Sequence, residues 1–204
     1  MQELCSTLIL AGGRATRMGK DKAKLILGGR SVLEGILRTA LEVSENAVVM
    51  RAPGQDLPRL PEALLEKVRV GHDRVEGQGP LQGITDALHL LPKKSECVYV
   101  LTCDIPYLNK EWLLKLSASL TGEWDAVCTL HEDIANPLLA LYRVPVLKRA
   151  PLLLESGHRR PIALWEGWSV RRVPAQSEDM FHVRGMNTPD DYDLAKEHFD
   201  KIYD

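Results

Sequence analysis

Gly12 and Gly13, followed closely by Arg14, Arg17, Lys20, Lys22 and Lys24, combine two things that a polyphosphate needs from a protein. Paired glycines let the backbone pass close to a ligand. Successive N–H groups turned inward form a concave anion site. The cations concentrate positive charge in one short span, although a solvated basic surface loop is the bland alternative. Far along the chain, Asp104 follows the apolar run Cys97-Val98-Tyr99-Val100-Leu101-Thr102. A lone carboxylate at such a strand end suits magnesium, which takes one or two carboxylates plus substrate phosphates and keeps several waters. Asp104 shortly before Pro106 also fits a turn cap. Asp73 is acceptor-only when ionised and could receive a donor from a base or ribose; it could equally pair with Arg74. Arg159 and Arg160 carry forks that recognise phosphate, or they complement the dipole of a helix ending before Gly157. No Ser-His-Asp or Cys-His arrangement is apparent.

Two well-known phosphate loops do not fit. A Walker A loop has four residues between its glycines, then Lys and Ser or Thr. Here five residues separate Gly13 from Gly19, and Lys20 is followed by Asp21. The Rossmann fingerprint needs a second glycine two places after the first, and position 14 is Arg.

The elements around these residues follow from periodicity. Residues 4–10 read as a buried parallel strand running straight into the glycine loop. Ser31 and Glu34 match a capping box, opening a helix with Val32, Leu33, Ile36, Leu37, Ala40 and Leu41 on one face. Strands are expected at 47–50, 68–70 and 97–102. Pro80 opens a helix, and the helix after Asn109 is capped by it. Residues 126–130 and 138–142 predict an antiparallel pair around a polar turn, then one helix to about Glu155 and a strand at 169–173. Thr188-Pro189-Asp190-Asp191 starts a last helix. Alternating strands and helices predict a three-layer α/β fold with a mainly parallel, Rossmann-like sheet. Ligands of such sheets bind beyond the carboxyl ends of the strands, which gathers the loops after Leu10, Val70 and Thr102 on one edge.

With 204 residues, 45% hydrophobic and 26% charged, the expectation is one globular domain over 1–204. The net charge of -2 advertises no general polyanion surface, so nucleic acid is not an expected partner. Cys5, Cys97, Cys103 and Cys128 show no C-x-x-C spacing and indicate no zinc site or redox pair. Cys103, beside a carboxylate, is the one expected to be more exposed. There is no signal-type segment and no apolar run of membrane-spanning length, so a cytoplasmic protein is expected.

Taken together, Leu10-Ala11-Gly12-Gly13, Arg17-Met18-Gly19 and Asp21-Lys22, with Gly79-Pro80-Leu81-Gln82-Gly83, Cys103-Asp104-Ile105-Pro106 and Asn187-Thr188-Pro189-Asp190-Asp191, resemble the molybdenum cofactor guanylyltransferases in order and spacing. These belong to the nucleoside-triphosphate transferases with a Rossmann-like fold. The resemblance implies GTP and magnesium as ligands and transfer of GMP to molybdopterin with release of pyrophosphate. It implies that Leu10, Ala11, Gly12, Gly13, Lys22 and Asp73 bind the nucleotide. Asp104 would hold magnesium as well as sit by the nucleotide. Arg17 and Lys22 suit the leaving pyrophosphate, Arg160 the substrate side, and Asn187 the substrate or the pyrophosphate side. It also implies contact with other cofactor-synthesis proteins and with apo-molybdoenzymes or their chaperones. Two family asparagines are missing. Met50-Arg51 stands at the end of the second long strand, and Gly185 stands two residues before Asn187. Two rival functions are a related cytidylyltransferase, acting on molybdopterin or an isoprenoid precursor, and a catalytically silent nucleotide-binding domain. Adjacent Gly12 and Gly13 resemble the guanine users more. A silent domain is expected to lose the loop lysine or the metal carboxylate, and both are present.

Overall fold

In the computed structural model, residues 4–12 and 19–203 are described. Strand β1 (Cys5–Leu10) leads into the glycine loop. A short 3-10 turn (Lys22–Lys24) follows, then a small hairpin of β2 (Ile26–Leu27) and β3 (Arg30–Ser31), helix α1 (Val32–Leu41) and strand β4 (Asn46–Arg51). Next come α2 (Glu62–Leu65), β5 (Val68–His72), α3 (Pro80–Ala87), β6 (Cys97–Thr102), α4 (Lys110–Ser119), β7 (Ala126–His131) and β8 (Ile134–Arg143). Helices α5 (Val144–Leu147) and α6 (Ala150–Glu155), a second 3-10 turn (Pro161–Trp165), β9 (Val170–Pro174) and α7 (Pro189–Tyr203) complete the chain.

The seven long strands form one sheet in the order β5-β4-β1-β6-β8-β7-β9. All pair in parallel except β8, which runs against both β6 and β7. The central strands are buried on both faces, as expected for a parallel sheet covered by helices. Alternation divides their side chains between two cores. Ile9, Val49, Tyr99 and Leu101 face α1 and α4. Leu8, Leu10, Val48, Met50, Val98 and Val100 face α3, α5 and α6. No described helix is long and apolar enough to cross a membrane.

The caps act as their sequences imply. Ser31 accepts from the Glu34 N–H and Asn109 from the Trp112 N–H. Thr188 and Asp191 exchange reciprocal bonds at the start of α7. Three features differ from the sequence reading. The helix expected to reach Glu155 in one piece is two, because Pro151 in the first turn of α6 cannot donate to a continuing helix. Strand β8 begins earlier than expected, at Ile134. Glu132 and Asp133 both adopt positive φ, 47° and 63°, and so close a tight two-residue hairpin without the usual Asn-Gly signal. Cys103 is buried, with only 4% of its surface exposed; burial pushes its thiol up, and the neighbouring Asp104 carboxylate adds to the effect.

Candidate active site

Register sets the level at which the site is built. Leu10 lies opposite Met50 on one side and Thr102 on the other, and Met50 lies opposite Gly71. The loops after β1, β4, β5 and β6 therefore leave the sheet together. Above them is a cavity of about 600 Å³, within the range of small-molecule sites. Its floor is Leu10, Met50 and Thr102. Ala52 and Pro53 form one wall, and the 73–80 loop with Gly83 of α3 forms another. Met50 thus serves the site through apolar contact. The Arg51 guanidinium donates to the Gln55 carbonyl.

Asp73 lines this cavity. Its backbone N–H donates to the Arg51 carbonyl at 3.0 Å, which fixes the loop on the strand end. Pairing with Arg74 does not occur. The Arg74 N–H and guanidinium both go to Asp86, which also receives Gln82. Asp86 is only 2% exposed. Burial opposes its charge, yet the bonds from Arg74 and Gln82 hold its carboxyl below the usual range. The Asp73 carboxylate receives no hydrogen bond from a described residue. Its desolvation and the nearby Asp86 charge push its pKa up to about 6, against a smaller opposing effect of His72.

A second group assembles beside the cavity from parts remote in sequence. Lys22 Nζ donates to Asn187 Oδ1 at 2.9 Å, across 165 residues. The Met186 N–H donates to the Asp104 carbonyl at 2.6 Å. Thr102 Oγ1 donates to Asp104 Oδ1, while Asp104 Oδ2 takes no bond from a described residue. Gly185 is what permits this packing. A Cβ there would lie 2.9 Å from Asn187 Nδ2, so the amide of Asn187 occupies the space a side chain at 185 would need.

Gly12 lines the cavity, but the N–H groups of Ala11 and Gly12 do not supply the anion site expected of the loop. Both N–H groups donate to the Met50 carbonyl, at 2.8 and 3.1 Å, so neither is available to an anion. Gly12 is demanded by packing, since a Cβ there would meet the Ala52 backbone nitrogen at 2.7 Å. Gly13 and Arg17 lie outside the described residues, as does Arg14. Lys20 and Lys24 are exposed. On the far side, Arg159 donates to the Leu154 and His158 carbonyls and so caps the end of α6. Arg160 is exposed; its carbonyl accepts from the Ala163 N–H at 3.2 Å, while its guanidinium bonds to no described residue. The Arg159 backbone approaches Gly79, at 3.1 Å from where a Cβ would stand, which sets the 158–160 segment beside the mouth of α3.

Sequence reasoning missed Asp21, Gln55, Thr102 and Asp86. Asp21 receives the Ala23 N–H at 3.0 Å as an N-cap, a role visible in Asp before a short helical run. Gln55 sits in a Pro-rich connection that carries no local signal. Asp86 reads as an ordinary helical acid.

Known proteins share this architecture. The MobA-like NTP transferase domain matches residues 7–172. A protein described as a probable molybdenum cofactor guanylyltransferase, from Geobacillus sp. (strain WCH70), is 30% identical over 91% of this chain and 95% of its own. The crystal structure of molybdopterin-guanine dinucleotide biosynthesis protein A from Archaeoglobus fulgidus superposes with a TM-score of 0.73 at 24% identity, covering 96% of this chain and 99% of that one. A 2-C-methyl-D-erythritol 4-phosphate cytidylyltransferase from Thermus thermophilus superposes almost as well, with a TM-score of 0.72 at 17% identity over 97% and 99%. Fold alone therefore does not separate guanylyl from cytidylyl transfer. The sequence match, which runs through each strand-end loop that builds the cavity, carries the assignment: this chain belongs to the MobA-like NTP transferase domain family and is a nucleotidyltransferase.

Proposed function

We propose that this chain transfers GMP from GTP to the terminal phosphate of molybdopterin and releases pyrophosphate. The observation that carries the reading is the uncommitted Asp73 carboxylate on the cavity wall, next to the Lys22, Asn187 and Asp104 group. The relatives described as molybdenum cofactor guanylyltransferases support the same substrates. A carboxylate is an acceptor only, and it matches the adjacent N–H and amino donors on the edge of guanine. Leu10 and Met50 give the base an apolar floor, and the triphosphate extends toward Lys22.

Nucleotidyltransferases of this family generally use a divalent metal. Among the described residues no three His, Cys, Asp or Glu side chains gather. Asp104 would hold the ion, with phosphates and water completing its shell, which is the donor set magnesium favours. The Thr102 hydroxyl orients one Asp104 oxygen and leaves the other for this role. Bound there, magnesium would supply charge neutralisation on the phosphate oxygens.

The acceptor phosphate needs no proton removed. One of its oxygens forms a bond to the α-phosphorus of GTP, the bond from that phosphorus to the β-phosphate oxygen breaks, and the electron pair leaves on pyrophosphate. The chain's tasks are alignment and charge compensation. Lys22 and Arg17 meet the leaving group, and Asn187 holds the lysine in place at 2.9 Å. Arg160 meets the acceptor phosphate.

Pyrophosphate release from GTP with molybdopterin and magnesium tests the reading. Lys22→Ala and Asp104→Ala are expected to fold normally and to lose turnover by roughly 100-fold or more, the few kcal/mol typical of a preorganised charge contact. Wild-type turnover in either variant removes that residue from the mechanism. Absence of GTP-dependent release in the parent protein removes the function.

A further inference from the structure

Gln55 lies outside every motif that suggests the function, in the connection after β4. Its side chain nevertheless touches three separate parts of the site. Its Oε1 accepts from the Ala52 N–H at 2.9 Å, folding the side chain back over its own turn. Its Nε2 then has two hydrogens to place. One goes to the Ala11 carbonyl at 3.1 Å, and the other to Asp21 Oδ2 at 2.9 Å. Ala11 and Asp21 flank the glycine loop, one before positions 13–18 and one after.

The chain of contacts continues to the chemistry. The other oxygen of Asp21 caps the Lys22–Lys24 turn by receiving the Ala23 N–H. Lys22, the first residue of that turn, reaches Asn187. A carboxamide is the group that can donate twice and accept once in this arrangement. Leu or Met would satisfy none of the three partners. Glu would accept from Ala52 but would set its second oxygen against two other acceptors, one of them charged.

We propose that Gln55 is a positioning residue of the triphosphate loop. It ties both flanks of that loop to the end of β4 and, through Asp21, sets where the Lys22 ammonium stands. The inference rests on the reading that Lys22 meets the triphosphate. It adds that the lysine's placement is set from a connection 34 residues beyond Asp21.

The test compares Gln55→Ala, Gln55→Glu, Asp21→Asn and the double variant Asp21→Asn with Gln55→Glu, using Lys22→Ala as the benchmark. Calorimetry with inorganic tripolyphosphate reads the loop without a base or an acceptor, and steady-state pyrophosphate release reads kcat and KM. Thermal melts report the folded fraction. Misplacement of a catalytic group by about 1 Å can cost ~100-fold, and a loss of that order in kcat/KM is expected for Gln55→Glu, with weaker tripolyphosphate binding and an unchanged folded fraction. In the double variant the donor and acceptor roles are exchanged. The new amide at position 21 donates to the new carboxylate at position 55, and the like-charge contact disappears. At least a tenfold recovery over Gln55→Glu alone is expected, roughly one restored charge-assisted bond.

Wild-type binding and kinetics in Gln55→Glu would overturn the proposal. So would a loss that merely follows the melted fraction and is not recovered in the double variant, because that pattern marks a stabilising residue only. If Lys22→Ala leaves tripolyphosphate affinity intact, the reading of Lys22 is itself wrong and the proposal falls with it. If Lys22→Ala weakens binding and Gln55→Glu does not, the reading of Lys22 stands and the role of Gln55 is refuted.

Discussion

In the proposed site, Asp73 would serve binding at the cost of stability. Burial and the nearby Asp86 charge raise its pKa from 3.8 to about 6. Between those two values the folded protein holds more protons than the unfolded chain, so stability falls as pH rises through that window. At pH 8 the free enzyme therefore carries a desolvated carboxylate with no described donor. Recognition of guanine by that carboxylate needs the ionised form, so GTP affinity should rise with pH through about 6 and level off above it. Replacing Asp73 with Asn removes the charge and should raise the melting temperature at pH 8 by about 2–8 °C, the effect of one or two kcal/mol on a domain this size. The same variant should lose at least about tenfold in GTP affinity, one charge-assisted hydrogen bond or more, together with the pH step. Melts and calorimetry from pH 5 to 8 check both effects. A pH step that survives in Asp73→Asn would assign it to another group.

Gly12, at the end of β1, and Gly83, inside α3, look alike in sequence and differ in what surrounds them. A Cβ on Gly12 would stand 2.7 Å from the Ala52 backbone nitrogen, and backbone cannot move aside without shifting β4. A Cβ on Gly83 would stand 2.9 Å from Leu10 Cδ2 and 3.2 Å from Asp73 Oδ1. Leu10 Cδ2 is the end of a side chain and can turn away. Alanine in a helix interior also gains up to about 1 kcal/mol over glycine, which offsets the crowding. Gly12→Ala should therefore destabilise by about 2 kcal/mol or more, as overpacking against fixed neighbours does. Gly83→Ala should stay within about 1 kcal/mol of the parent in a urea titration. Gly83→Ala should nonetheless weaken GTP binding, because the methyl group enters the cavity between Leu10 and Asp73. Unaltered GTP affinity in Gly83→Ala would mean that the base does not rest on that wall.

At the scale of the molecule, the parallel sheet concentrates loops from β1, β4, β5 and β6 on one edge, and the segment leading into α7 returns Asn187 to the same edge. Ligand occupancy should couple these pieces. A nucleotide that binds only the folded protein stabilises it by mass action, by about 2.7 kcal/mol at a hundred times its dissociation constant, or roughly 5–10 °C here. GTP with magnesium should produce such a shift and CTP a much smaller one, because cytosine lacks the paired donors that Asp73 can receive. Equal shifts with both nucleotides would place base selection elsewhere. Nucleotide choice has to be measured, because guanylyl and cytidylyl transferases superpose on this chain almost equally, with TM-scores of 0.73 and 0.72.

The sequence by itself determined the alternation of strands and helices, the helix caps at Ser31, Asn109 and Thr188, and the edge where a ligand would bind. These follow from local periodicity, local hydrogen bonds and a topological rule, none of which needs distant contacts. It also identified Lys22, Asp73, Asp104 and Asn187 as candidates, because they stand in or beside recognisable strand-end segments. Only the tertiary structure decided how those candidates are divided. Arg74 could have paired with Asp73, and it pairs with Asp86 because α3 brings a buried carboxylate to the loop. Arg159 and Arg160 are adjacent and alike, and only the end of α6 makes one a cap and leaves the other exposed. Gly12 could have offered its N–H to an anion, and it is bonded to Met50 because β1 and β4 end at the same level. Gln55 had no signal at all, since a carboxamide gains meaning only from three partners that folding sets around it.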